Sequence, residues 1–192
     1  MTRIAIIGYA TMMDPRNVRK YNLKPPETVT VQAFQRFFGL PDLADKDPKT
    51  VFDSKGKLLI TDLGVTTTTI NGSRFYNAVA YRDVPEEVVA DLDELEKKSY
   101  FFRTPLAEAF VRTFPDRARW NSGGNGIYTY TAKNEANLAD IGTVQLVRHD
   151  VSPNLDYLKR CREAAAIYGE PFRALYDKTT FLADRINSVI GI

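Results

Sequence analysis

"AVAYRDVPEEVVADLDELEKK", residues 78 to 98, changes its hydrophobic period part-way along. Up to Arg82 it continues a β-rich run, and from Asp83 its apolar side chains recur at helical spacing, so a strand is followed directly by an amphipathic helix. Asp83 with Glu86 three residues on, and Pro85 early in the first turn, reads as a capping-box start that fixes the helix phase. At about 100° per residue, Val84, Val88, Val89, Leu92 and Leu95 form one arc roughly 140° wide. Glu96 projects inside that arc, between Leu92 and Val89. Glu86, Glu87 and Glu94 point away from it, while Asp91 and Asp93 lie just beyond its edges. Burial disfavours the charged form of a carboxylate, and the negative end of the helix dipole acts in the same direction. Glu96 is therefore expected to hold a raised pKa and to be poised for proton transfer near neutral pH. The same spacing also suits a frayed helix end at which Glu96 pairs with Lys97, Lys98 or Arg103.

On either side of this stretch the chain reads as alternating strands and short helices. "RIAIIGYA" is a buried first strand ended by Gly and small residues. Asp14 and Pro15 occupy the cap and first turn of a short helix in "MMDPRNVRKYNL". Residues 27 to 34 are β-rich, and residues 39 to 57 form a loop excursion. The run from Lys57 to Arg82 gives two strands, with "NGS" at 71 to 73 as a hairpin signal. After the helix, "TPLAEAFVRTF" gives a strand or strand pair, "PDRARWNSGGNG" a polar loop and "IYTYTA" a strand. From Ser152, as cap, with Pro153 in the first turn, the tail holds at least one long helix. This order predicts an α+β fold with a mixed sheet or small barrel.

Composition excludes several function classes. A chain of 192 residues with 44% hydrophobic content suits one domain over residues 1–192. A net charge of +2, with acidic and basic residues interspersed, supplies no basic stripe for nucleic acid. No run approaches the ~18 apolar residues of a membrane span, and the N-terminal stretch is too short and too soon interrupted for a signal peptide. A cytoplasmic protein without membrane partners is expected. One Cys and one His cannot build a disulfide or a zinc site, so no metal is expected. His149, in "QLVRHDVSP", reads as a surface residue. The proton carrier of any enzyme built on this chain is a carboxylate.

Four stretches resemble the gamma-glutamylcyclotransferases, including the gamma-glutamylamine and ChaC-type members. They are "YATMMDP" from Tyr9, the helix through Glu96, "YFFR" from Tyr100, and "SPNLDYLKRCREAAAIYGEP", whose Tyr157 to Pro171 interval matches the family spacing. "TFLAD" is similar to a family tail element. The resemblance covers most of the chain outside residues 39 to 57 and 115 to 126. It implies a compact mixed β-barrel with flanking helices and a cavity at the end of the first strand. It further implies a cofactor-independent reaction in which the α-amine of a γ-glutamyl group attacks its own side-chain carbonyl, giving 5-oxoproline and releasing an amine or peptide. Glu96 matches the catalytic acid/base. Tyr9, Ala10, Thr11 and Met12 match the loop whose N–H groups hold the small-molecule γ-glutamyl substrate, and Tyr100, or Phe101, and Tyr157 line the substrate.

The chain departs from that pattern at Ala10, where the family has Gly, at Met12, where it has Asn, and at Lys97, where it has Gly. Lys97 places a cation next to Glu96, and a cation lowers a carboxylate pKa. Two alternatives accompany the cyclotransferase reading. One is a non-catalytic relative that binds a small molecule or protein. The other is a pathway enzyme stripping a γ-glutamyl group from a specialised metabolite or modified nucleotide. Cys161 reads as a buried small apolar residue. Trp120 reads as part of a surface loop, with a substrate lid or partner contact as its functional alternative. "SGGNG" lacks the spacing and Lys of a nucleotide loop. Oligomeric state leaves no trace in the sequence.

Overall fold

The structure, a computed structural model, describes residues 4–41, 63–69, 75–98, 101–132 and 154–182. Its centre is β1 (Ile4–Gly8), buried at all five positions. A continuous apolar run of this kind needs cover on both faces. β1 lies between β5 (Phe75–Val84), antiparallel, and β8 (Gly126–Ala132), parallel with Ile7 opposite Thr129. β2 (Glu27–Gln32) pairs with β5, β7 (Val111–Thr113) with β2, and β6 (Phe101–Leu106) with β8. The six-stranded order is β6-β8-β1-β5-β2-β7.

A second sheet of three strands has the order β4-β3-β9, from β3 (Phe34–Pro41), β4 (Leu63–Thr69) and β9 (Thr180–Leu182). The chain passes from the first sheet to the second at Ala33, whose φ of 62° gives the abrupt change of direction between β2 and β3. The architecture is thus α+β, as expected, but among the described residues the six-stranded sheet has free ends at β6 and β7 and does not close into a barrel. The expected 71–73 hairpin is also corrected. Both edges of β5 are taken by β1 and β2, so β4 pairs with β3 in the other sheet; "NGS" itself lies outside the described residues.

Helix α1 (Glu86–Lys97) packs on β6, while α2 (Leu155–Ala166) packs on α3 (Glu170–Thr179) and α3 on β5. The tail therefore carries two helices, broken at Gly169 with φ 91°. The α2 cap is Asn154, whose side chain accepts from the Tyr157 N–H at 2.9 Å; Ser152 and Pro153, like His149, lie outside the described residues. Asp14 does cap the short helix Pro15–Tyr21, accepting from the Arg16 N–H, although that helix has the tighter 3-10 form. Among the described residues no helix is long and apolar enough to cross a membrane.

The two sheets and α3 meet at Arg36, which is fully buried. Its Nε donates to Thr180 Oγ1 at 2.8 Å, one terminal nitrogen donates to the Asn77 carbonyl at 2.6 Å, and the other to Asn77 Oδ1, the Tyr176 carbonyl and Thr179 Oγ1 at 3.0, 3.1 and 3.2 Å. The guanidinium also stacks 3.7 Å from the centre of the Tyr176 ring. Replacing Arg36 by Met keeps an unbranched apolar stem but strands several buried acceptors. Arg36→Met is expected to cost at least about 3 kcal/mol of unfolding free energy in urea titrations. A loss under about 1 kcal/mol would show that the cluster is not a structural tie.

Candidate active site

Gly8 closes β1 because nothing larger fits: a Cβ there would sit 2.9 Å from Met12 Cβ, so the chain doubles back over a bare backbone. The following loop makes one 3-10 turn, Thr11–Met13, with the Met13 N–H bonded to the Ala10 carbonyl at 2.9 Å. Side chains from elsewhere hold its carbonyls. Arg36 reaches the Tyr9 oxygen at 3.4 Å, Asn17 Nδ2 the Thr11 oxygen at 2.6 Å, Tyr81 the Met12 oxygen at 2.8 Å and Tyr168 the Met13 oxygen at 2.5 Å. Burial raises the Tyr81 hydroxyl well above its ordinary range and pushes Tyr168 up to about 12, so both remain protonated donors. Among the described residues no acceptor is bonded to the Thr11 and Met12 N–H groups. The loop thus has its acceptors occupied and two donors free.

Glu96 sits in the last turn of α1, half-buried, and burial alone raises its carboxyl to about 7. Lys97 is exposed and does not counter that shift. Nor is Arg103 available to Glu96, because it pairs with Asp93 at 3.4 Å, and Asp93 also accepts from the Tyr130 hydroxyl at 2.8 Å. The inward phase of Glu96 agrees with the sequence reading, but two supports of that reading do not. Asp83 forms no cap: it lies within the end of β5, one residue before Val84, with φ 53°, and binds Lys24 at 2.7 Å, and Pro85 takes the cap position without a side-chain bond. Leu95, placed on the apolar arc, is 48% exposed. The helix starts two residues later than a cap at Asp83 would set it, and Val88, Val89 and Leu92 alone carry its buried face.

Tyr157 reaches the same region from α2. Its hydroxyl is raised well above the ordinary range, chiefly by burial and in part by the Cys161 and Glu96 charges, with Thr11 as a hydrogen-bonding neighbour. Its ring meets Phe38 edge-on at 6.3 Å. Tyr130 on β8 is raised likewise, by burial first, then by its bond to Asp93, with a smaller part from Glu96. The Glu96 charge is thus felt by Tyr157, whose helix packs on the Thr11–Met13 turn, and by Tyr130, which the sequence reading did not include. Its only signal was the alternation in "IYTYTA", which cannot say that β8 runs beside β1.

The remaining sequence candidates fall differently. Tyr9 turns into the core, 6% exposed, and its hydroxyl donates to the Tyr130 carbonyl at 2.6 Å, so it braces the site from beneath. Ala10 and Met12 pack partly against the core. Ala10 has a φ of −121°, so the backbone there does not require glycine. Tyr100 lies outside the described residues, and Phe101 is half-buried against the core. Cys161 is buried, its thiol pushed up to about 11, which suits an inert apolar residue. Trp120 corrects the surface-loop reading. It is fully buried, its Nε1 donates to Glu27 Oε2 at 3.1 Å, and the Arg82 guanidinium lies 4.4 Å from its ring centre. Among the described residues no group of three or more His, Cys, Asp or Glu side chains could hold a metal ion.

No family model matches this sequence, and no curated protein does. Solved structures do match. One described as a gamma-glutamyl cyclotransferase aligns with 90% of this chain and 84% of its own, with a TM-score of 0.57 at 14% identity. The chain has a gamma-glutamyl cyclotransferase-like fold. A gamma-glutamyl cyclotransferase from yeast, described as specific to glutathione, aligns over 92% of this chain and 95% of its own, with a TM-score of 0.53 at 12% identity. A human protein described as uncharacterized gives 0.58 at 15% identity over 91% of this chain and 85% of its own. The cyclotransferase-like architecture anticipated from the four stretches is thus present, at an identity that shows the fold alone.

The raised carboxyl has a thermodynamic signature. A carboxyl whose folded pKa of about 7 exceeds its ordinary 4.5 holds more protons folded than unfolded across that window, so stability falls as pH rises from about 4.5 to 7. Glu96→Gln removes this cost. Its stability relative to the parent protein should increase between pH 5 and pH 8 by about 2–3 kcal/mol in urea titrations. A difference that does not change with pH would place the Glu96 pKa in the ordinary range.

Proposed function

We propose that this protein is a cofactor-independent gamma-glutamyl cyclotransferase acting on a γ-glutamyl amine or peptide, with Glu96 as its acid/base. The observation that carries this reading is a carboxyl raised to about 7 by burial, whose charge acts on Tyr157 of the helix packed on the Thr11–Met13 turn, in a chain of cyclotransferase-like fold. The chemistry asks for one proton carrier. Ionised Glu96 takes a proton from the substrate α-ammonium, and the freed amine attacks the γ-carbonyl carbon, forming the ring C–N bond. The tetrahedral oxyanion is held by hydrogen-bond donors, and the unbonded Thr11 and Met12 N–H groups are the candidates for them. Protonated Glu96 then returns its proton to the departing nitrogen as the original amide C–N bond breaks, and the regenerated carboxylate takes the second proton from the ring nitrogen and passes it to the released amine, giving 5-oxoproline, an ammonium product and Glu96 in its starting form. Nothing is oxidised or reduced.

Both reacting groups belong to one substrate molecule, so holding it folded supplies much of the acceleration. Tyr157, kept neutral by burial, can donate to the substrate or orient the Glu96 carboxylate without competing for its proton, while Tyr130 gives its hydroxyl proton to Asp93. A pKa near the working pH suits a group that must accept and return a proton in one turnover.

The test is a panel of γ-glutamyl amines and peptides, with 5-oxoproline followed by mass spectrometry. At least one member is expected to turn over, at a rate that rises through pH about 7 as Glu96 ionises. Glu96→Gln should lower that rate at least about 100-fold. Thermal stabilisation by a γ-glutamyl compound without product would instead indicate a binding protein.

A further inference from the structure

A cavity of about 470 Å³ lies among β2, β5, α3 and the turn after β7, and none of Tyr9 to Met12, Glu96 or Tyr157 lines it. Its apolar surface comes from Phe75, Phe114, Ala174 and Leu175, the last two on the face of α3 that also carries Lys178. Arg117 completes it from the turn. Among the described residues no carboxylate lines the cavity, and neither Arg117 nor Lys178 has an ion-pair partner. The backbone at Arg117 is held by the turn, and its side chain is exposed. Its φ is 60°, and its N–H is bonded to the Thr113 carbonyl at 2.9 Å, so the turn sets where its cation starts.

The volume falls within the ~300–1,000 Å³ typical of small-molecule sites, and the mixture of apolar walls with a few convergent polar groups is what such sites use. Two cations without counter-charges select an anion, while the phenyl and aliphatic walls select the body that bears it. We propose that this cavity is a second ligand site for a small organic acid, an apolar body carrying one carboxylate. The apolar walls supply binding, and Arg117 and Lys178 orient the carboxylate at the rim.

Calorimetric titration of the full chain tests this with phenylbutyrate, its neutral counterpart phenylbutanol, and inorganic phosphate. Phenylbutyrate is expected to bind one per chain and about tenfold more tightly than the alcohol, a gain of the size expected for one charge-assisted contact. Phosphate, which lacks the apolar body, should bind more weakly than phenylbutyrate. Arg117→Gly combined with Lys178→Met should bring the acid down to the level of the alcohol without changing the alcohol. Glycine suits the positive φ at 117, and Met preserves helix propensity at 178, so circular dichroism should be unchanged. Leu175→Trp, which fills the cavity, should abolish binding of both. The proposal fails if acid and alcohol bind equally, if phosphate binds as tightly as the acid, if the double variant leaves the acid affinity unaltered, or if the acid does not bind. These readouts involve neither Glu96 nor turnover, so they stand apart from the cyclotransferase assay.

Discussion

A guanidinium buried without a carboxylate holds this architecture together. An isolated charge in a protein interior is costly unless its donors are met. Arg36 is met by hydroxyl and carbonyl oxygens from β5, α3 and β9, with the Tyr176 ring against its face. The arrangement also uses the end of α3, where unpaired carbonyls give a partial negative charge. Burial depresses the Arg36 pKa, yet a guanidinium starts so high that it keeps its proton. The oxygens that it binds come from β5, α3 and β9, so β3 cannot shift against β5, nor α3 against either, without stranding a donor. The same group reaches the Tyr9 carbonyl at the start of the loop after β1. The tie between the sheets is therefore also an anchor of the candidate site.

The electrostatics around Glu96 are one-sided. The surrounding donors are tyrosines made more reluctant to ionise by burial, and the nearest acidic neighbour on α1, Asp93, is already engaged by Arg103 and Tyr130. Charges near Glu96 thus cancel among themselves, and the desolvation of its own carboxyl is left without an offset. Had Arg103 turned towards Glu96 instead, the pair would have lowered the carboxyl and removed its capacity to hold a proton at neutral pH. The partner chosen by Arg103 is the local detail on which the proton chemistry depends.

The parts of this fold legible in the sequence are those set by local chemistry. β1, the Asp14 cap, α1 and the inward phase of Glu96 follow from apolar spacing and turn residues within a few positions of one another. What was not legible depends on partners distant in the chain. "NGS" promised that the strands on either side of it would pair, but both edges of β5 are taken by β1 and β2, and β4 pairs with β3. Trp120 sits in a stretch of polar and Gly residues that reads as surface, and only Glu27 and Arg82, contributed by two strands, convert it into a buried residue. Tyr130 and Arg36 carry no motif at all. Their positions follow from β8 running parallel to β1 and from β3 leaving the first sheet at Ala33, neither of which is encoded in nearby residues.

The departures at 10, 12 and 97 also become intelligible in these terms. A glycine is indispensable in this loop where the backbone crowds itself, and that position is Gly8, against Met12 Cβ. At Ala10 the φ of −121° asks for no glycine. Met12 is held through its carbonyl by Tyr81 and packs partly on the core, so its side chain serves the scaffold while its N–H stays free. Lys97 extends from an exposed position and leaves the Glu96 carboxyl raised. Each replaced side chain changes a letter of the motif without changing the backbone constraint that the motif satisfies.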